Sequence, residues 1–133
     1  MSIPQSGGGP IESFDQLANL LEQGNKPKAD WRIGTEHEKF GYCKNTLKAL
    51  PYEGERSIQS ILHGLRDQFN WAPVDEGGYL IGLTKNGANV SLEPGGALEL
   101  SGAPLETIHE TCDEVNVHLR EVKEIADKIG VGF

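Results

Sequence analysis

The chain has 133 residues, 37% hydrophobic and 24% charged, and a formal charge of −8 from 20 acidic against 12 basic side chains. That length suits one domain with a real core and does not promise two. The negative balance argues against a broad nucleic-acid or anionic-membrane surface, where positive charge does the binding. A local basic pocket for a nucleotide phosphate stays open.

Residues 1–10 read as a flexible leader. The glycines at 7–9 have no strand before them and no Gly-Lys-Ser/Thr after them, so they lack the make-up of a phosphate-cradling loop. No basic start leads into an apolar run, and no stretch approaches about 18 apolar residues, so neither a secretory signal nor a membrane span is expected. Cys43 and Cys112 form no metal-type spacing. The expectation is two reduced thiols in a cytoplasmic protein, with a disulfide or redox switch as the alternative.

From Ser13 to Gln23 the pattern is helical, with Phe14, Leu17, Ala18 and Leu21 on one stripe and Ser13 with Gln16 as a capping box. An opening strand is expected over 31–43. A second helix is expected from about 55 to 69, striped by Ile58, Ile61, Leu62, Leu65 and Phe69, with Gly64 weakening it by about 1 kcal/mol relative to alanine. Asn86-Gly87 between two strand-like runs predicts a type I′ hairpin, with Ala88, Val90 and Leu92 on one face and Asn89, Ser91 and Glu93 on the other. Pro94-Gly95 fits a type II turn leading into a strand over "ALELS". Pro104 is expected to open a long helix running to about Ile129. Its stripe is Leu105, Ile108, Cys112, Val115, Leu119, Val122, Ile125 and Ile129, a core seam rather than a cofactor box. Val131–Phe133 look like the start of a further strand, which suggests the front part of something longer.

The carboxylates carry the functional signal. Residues i and i+2 of a strand share a face, about 6–7 Å apart, so Glu36 and Glu38 of "RIGTEHEKFGY" form a pair, on the side shared by Phe40 and Tyr42. Glu93 stands at the lip of the Pro-Gly turn, and Glu99 lies opposite in face to Leu98 and Leu100. If these strands are neighbours, four carboxylates meet on one surface. Two like charges about 4 Å apart cost on the order of 4 kcal/mol at an effective dielectric of about 20, so protons or cations must compensate. All-oxygen ligands favour Mg²⁺ or Mn²⁺ over zinc. Taken alone, Glu-x-Glu is common on solvated sheets. His37 alternates to the other face as a packing or surface residue, and His63, His109 and His118 are expected on helix surfaces. Arg32, Lys39 and Arg56 are expected to be solvated or ion-paired.

"WRIGTEHEKFGY", "LPYEGERSIQSIL", "VSLEPGG" and "ELSGAPLETIHETCDEVNVHL", in this order, closely resemble the plant-type glutamate–cysteine ligases, a family found also in many proteobacteria. The likeness runs from about residue 11 to the end. It implies an α+β, glutamine-synthetase-like fold, an antiparallel sheet with helices packed on its outer face, of which 11–133 would be the N-terminal part. It also implies a reaction in which ATP phosphorylates the γ-carboxylate of glutamate and the amino group of cysteine displaces the phosphate, giving γ-glutamylcysteine, the first step of glutathione synthesis. By the resemblance, Glu36 and Glu38 look like metal ligands. Glu93 and Glu99 match acids given metal or substrate contacts, and Gly95 and Gly96 would let the backbone approach a ligand. The implied ion is Mg²⁺, with Mn²⁺ possible, and ATP is a co-substrate. The implied partners are glutamate, cysteine and ATP, with no nucleic acid and no membrane.

One departure is visible: the family's Gln-Phe is Ala97-Leu98 here, which removes an amide from the face of Glu99. A related ligase using another acceptor amine therefore stays as an alternative, as does a non-catalytic metal- or nucleotide-binding fragment. Family members are considerably longer, so these 133 residues by themselves are expected not to turn over ATP, glutamate and cysteine.

Overall fold

The computed structural model describes residues 8–133; the expected leader falls mostly on the first seven residues, which lie outside the described ones. Helix α1 spans Phe14–Gln23 and carries the expected capping box between Ser13 and Gln16. None of its residues is buried: Phe14 is 80% and Leu21 79% exposed. The stripe that marks the helix has no apolar surface to lie on among the described residues.

The opening strand is broken where one continuous strand is expected. Ile33 bridges Leu105, β1 covers Glu36–Lys39, and β2 covers Tyr42–Cys43. The break falls at Phe40–Gly41, where the Gly41 carbonyl accepts the Leu50 N–H (3.3 Å) and Tyr42 bridges Ala49. Tyr42 thus enters a separate two-stranded sheet with β7, Val131–Gly132, the strand foreshadowed at the end of the sequence.

Helix α2 spans Ile58–Phe69 and begins a few residues later than expected, because Ser57 caps it by accepting the Ser60 N–H (3.1 Å). Ile58, Ile61, Leu62 and Leu65 are buried as the stripe requires. Gly64 has a packing reason: a Cβ there would stand 2.6 Å from Cγ2 of buried Ile125, on the helix that α2 crosses. Gly64→Ala should therefore lose stability by about 1–3 kcal/mol through overpacking, against the roughly 1 kcal/mol of helix propensity it gains. Urea denaturation checks the sign, and a more stable variant would mean that Ile125 moves aside freely.

Four strands follow or flank these elements. They are β3 (Ala72–Glu76), β4 (Tyr79–Lys85), β5 (Ala88–Glu93) and β6 (Ala97–Ser101). With β1 they form an antiparallel sheet in the order β1-β6-β5-β4-β3. Strand β3 has no counterpart in the periodicity reading, since Pro73 breaks the pattern; as an edge strand it tolerates proline. Asn86 (φ 51°) and Gly87 (φ 87°) make the expected type I′ turn. Gly95 (φ 79°, ψ 5°) takes the third position of the type II turn after Pro94.

Helix α3, Ile108–Ile129, starts four residues beyond Pro104. Leu105 is held by a reciprocal backbone pair with Ile33 (2.7 and 2.8 Å), and Thr107 with Glu110 forms the actual capping box. The helix also sits rotated from the expected seam. Ile108 is 62% and Leu119 37% exposed, while Thr111, His118 and Glu121 are buried beside Val122, Ile125 and Ala126. His118 on a helix surface is thus overturned: the imidazole is 2% exposed, 6.0 Å edge-on to Trp71. The core lies between α2, α3 and one sheet face, built on Ile61, Leu62, Leu65, Leu83, Val90, Leu98 and Leu100.

Candidate functional site

Strand register decides which side chains meet. Glu36 lies opposite Ser101, and Ser101 opposite Asn89; one row along, Glu38 lies opposite Glu99, and Glu99 opposite Ser91. Glu93 lies opposite Ala97, in the next row. Because side chains alternate, all four glutamates project from the face that the helices leave uncovered. The opposite face takes Leu98, Leu100 and Val90 with His37 and Lys39. Glu36 and Glu38 are tolerated on β1 because their side of the strand is not the core side. Phe40 is itself 63% exposed.

The four are not equivalent. Glu36 and Glu38 are exposed, Glu93 is half-buried, and Glu99 is 2% exposed. Ser101 Oγ donates to Glu99 Oε1 (3.0 Å), and Ser91 Oγ donates to its Oε2 (3.4 Å). These two hydroxyls, one from β5 and one from β6 itself, hold the carboxylate. Spacing alone does not single out either serine, although one lies two places from Glu99 and the other faces it across a hairpin once register is assigned. Asn89 Oδ1 on the same face is buried without a partner.

Among the described residues, no three acidic, histidine or cysteine side chains stand together as a ready metal centre. What register provides is a shared face with Glu38 directly across from Glu99. Like charges directly opposite each other destabilise a sheet, so a hard cation or a protonated group fits this face. The donors are all oxygen, which suits Mg²⁺ or Mn²⁺.

Gly95 and Gly96 lie in the turn between β5 and β6 with φ of 79° and 78°, so the backbone conformation alone accounts for glycine at both. Ala97 is 1% exposed and shares the carboxylate face. Arg32 pairs with Glu106 (3.2 Å) and Arg56 is exposed, as expected. Lys39 is neither solvated nor paired with an acid: it is 9% exposed and donates to the Leu98 carbonyl (3.4 Å), and burial lowers its pKa to about 8. Cys43 and Cys112 are both free.

An α+β domain with one helix-covered sheet face and one carboxylate-bearing face that no described helix covers is suited to holding a cation and an anionic ligand together. A family model described as glutamate–cysteine ligase family 2 matches residues 32–133. Glutamate–cysteine ligase B, chloroplastic, of Oryza sativa subsp. japonica is 49% identical over 124 residues, 93% of this chain and 24% of that protein. The chloroplastic glutamate–cysteine ligases of Nicotiana tabacum and Arabidopsis thaliana are each 50% identical over 124 residues, 93% of this chain and 23% of theirs. The chain belongs to glutamate–cysteine ligase family 2. It spans about a quarter of the length of these curated relatives.

These relatives also overturn the expectation of a cytoplasmic protein, since they are chloroplastic enzymes. Two free thiols do not separate one reducing compartment from another. No helix among the described residues is long and apolar enough to cross a membrane.

Proposed function

We propose that this chain supplies the cation-holding acidic face of an ATP-dependent ligase that joins the γ-carboxylate of glutamate to the amino group of cysteine, within a glutamine-synthetase-like fold. The observation that carries the reading is the register of β1, β6 and β5, which puts Glu38 across from Glu99 with Glu36 and Glu93 on the same sheet face. Family membership supplies the substrates.

Glutamate is a poor electrophile because its γ-carboxylate is an anion, which the ATP phosphates also repel. Bound Mg²⁺ or Mn²⁺ would neutralise that repulsion and stabilise charge developing in phosphoryl transfer. Glu36, Glu38 and Glu99 would hold the ion, with Glu93 at the turn reaching ion or substrate. Ser91 and Ser101 fix the Glu99 carboxylate, so its orientation is set before ligand arrives. Transfer of the γ-phosphoryl group to glutamate gives γ-glutamyl phosphate and ADP. Attack by the cysteine amine then forms the amide and releases phosphate and a proton. Gly95 and Gly96 would let the turn backbone approach the substrate.

Binding and chemistry are tested separately. Mn²⁺ added to labelled protein should broaden the amide signals of Glu38 and Glu99 well before those of α2. Equal broadening throughout would remove the acidic face as the ion's site. In a full-length family member carrying these residues, phosphate release should require ATP, glutamate, cysteine and Mg²⁺ together. Comparable rates with other amines in place of cysteine would assign a different acceptor.

A further inference from the structure

On the helix-covered side of the sheet, away from the carboxylate face, a cavity of about 160 Å³ opens between α3 and the end of the β4–β5 hairpin. Leu100 and Val117 give it apolar walls, and Glu114, His118 and Glu121 of α3 give it polar ones. Glu121 is fully engaged: its Oε2 accepts the Trp71 indole N–H (2.7 Å), and its Oε1 accepts from Lys85 Nζ (2.9 Å). Lys85 in turn lies over the Trp71 ring, 5.4 Å from its centroid.

His118 is the odd member. It is 2% exposed, and neither ring nitrogen has a partner. A neutral imidazole offers one N–H and one lone pair, so either tautomer and either ring flip leaves a donor and an acceptor unanswered. Glu114 accepts the Ala103 N–H at Oε1 (3.0 Å), while its Oε2 is buried without a partner. With His118 neutral, Glu114 and Glu121 against Lys85 leave the lining formally one negative charge in excess, and Lys39, outside the lining, is a further cation acting on His118. The volume matches a cavity that accepts a single aromatic ring, about 150 Å³.

We propose that this cavity binds a small planar organic cation, the size of a five- or six-membered ring and carrying N–H donors, such as an amidinium or an aminopyridinium. Its ring packs on Leu100 and Val117, one N–H donates to the His118 lone pair, and its charge is balanced by Glu114. The site does not depend on the ligase reading, because it occupies the other face of the sheet.

The probe is 2-aminopyridine at about pH 6, where it is a cation, with benzene as an apolar control of the same ring size. In the intact protein, 2-aminopyridine should shift the His118 ring ¹⁵N resonances saturably. Glu114→Gln should weaken that binding by about tenfold or more. His118→Phe should abolish it, and Ala88→Leu, which fills the same cavity from β5, should do so if His118→Phe fails to fold. No saturable shift with 2-aminopyridine overturns the proposal, leaving water or protein side chains as the occupant. Benzene binding as tightly as the cation, with Glu114→Gln without effect, overturns it in favour of shape alone.

Discussion

Glu38→Gln in a full-length family member should lower ATP-, glutamate- and cysteine-dependent phosphate release by about 10²–10³-fold, the usual loss when one preorganised electrostatic group is removed. Glu38 is exposed, so its far-UV circular dichroism should not change. The sign of the stability effect makes the test sharp. Without divalent ions, the Glu38 and Glu99 carboxyl groups lie on directly opposite residues of the sheet. Removing one should leave Tm unchanged or raise it, worth about 0.2–1 kcal/mol. With Mg²⁺ the order should reverse, because the wild type gains linkage stabilisation from the bound ion and the variant loses most of it. A variant that keeps full activity and the same Mg²⁺-induced Tm shift would remove Glu38 from the site. A variant destabilised equally with and without Mg²⁺ would make its role structural.

The second large effect concerns acid. Burial, then the nearby Lys39 charge and then His37, lower the His118 pKa from 6.5 to about 3. Lys85 of β4 and Glu114 and Glu121 of α3 line the cavity beside it. The unfolded chain takes up a proton near pH 6.5 that the folded chain refuses until about pH 3. Stability is therefore full above the unfolded value and declines as pH falls through that window. The loss is on the order of 4–5 kcal/mol from this one imidazole. Other carboxylates titrate in the same range, so the comparison is between proteins: His118→Leu should show a shallower fall in denaturant-derived stability between about pH 6.5 and 4. Parallel curves would mean that water reaches the imidazole and solvates its charged form.

Much of the local structure was legible because local chemistry sets it. Asn86-Gly87 can adopt positive φ at both turn positions, so the hairpin follows from two residues. Ser13 and Gln16 answer each other's backbone groups, and Pro94-Gly95 fits one turn type. Alternation along "ALELS" separated Glu99 from Leu98 and Leu100 without knowledge of the partner strand. What failed was information held elsewhere in the chain. Strand β3 is hidden by Pro73 until it is known to lie at the sheet edge, although Gly77-Gly78 before β4 was an available hairpin signal. The start of α3 moved because Ile33, more than 70 positions away, holds Leu105 in a bridge. Val122 and Ile125 of the expected α3 seam are buried, and Val115 and Ile129 pack against the core beside them. The buried face also takes in Thr111, His118 and Glu121, which an apolar stripe cannot show, because the partners that satisfy Glu121 are Trp71 and Lys85 on other elements.

By itself the sequence determined the family, the turns, most helices and strands, and which acids alternate onto a common side. Those properties depend on backbone dihedrals and on spacing within a few residues. Only the tertiary structure decided that Glu38 faces Glu99, that two serines hold Glu99, that α1 keeps its apolar stripe exposed, and that an imidazole is buried behind the sheet. All but the exposure of α1 are set by strand register or helix rotation: a slip of one residue in register exchanges the two faces of a strand, and one residue turns a helix by about 100°.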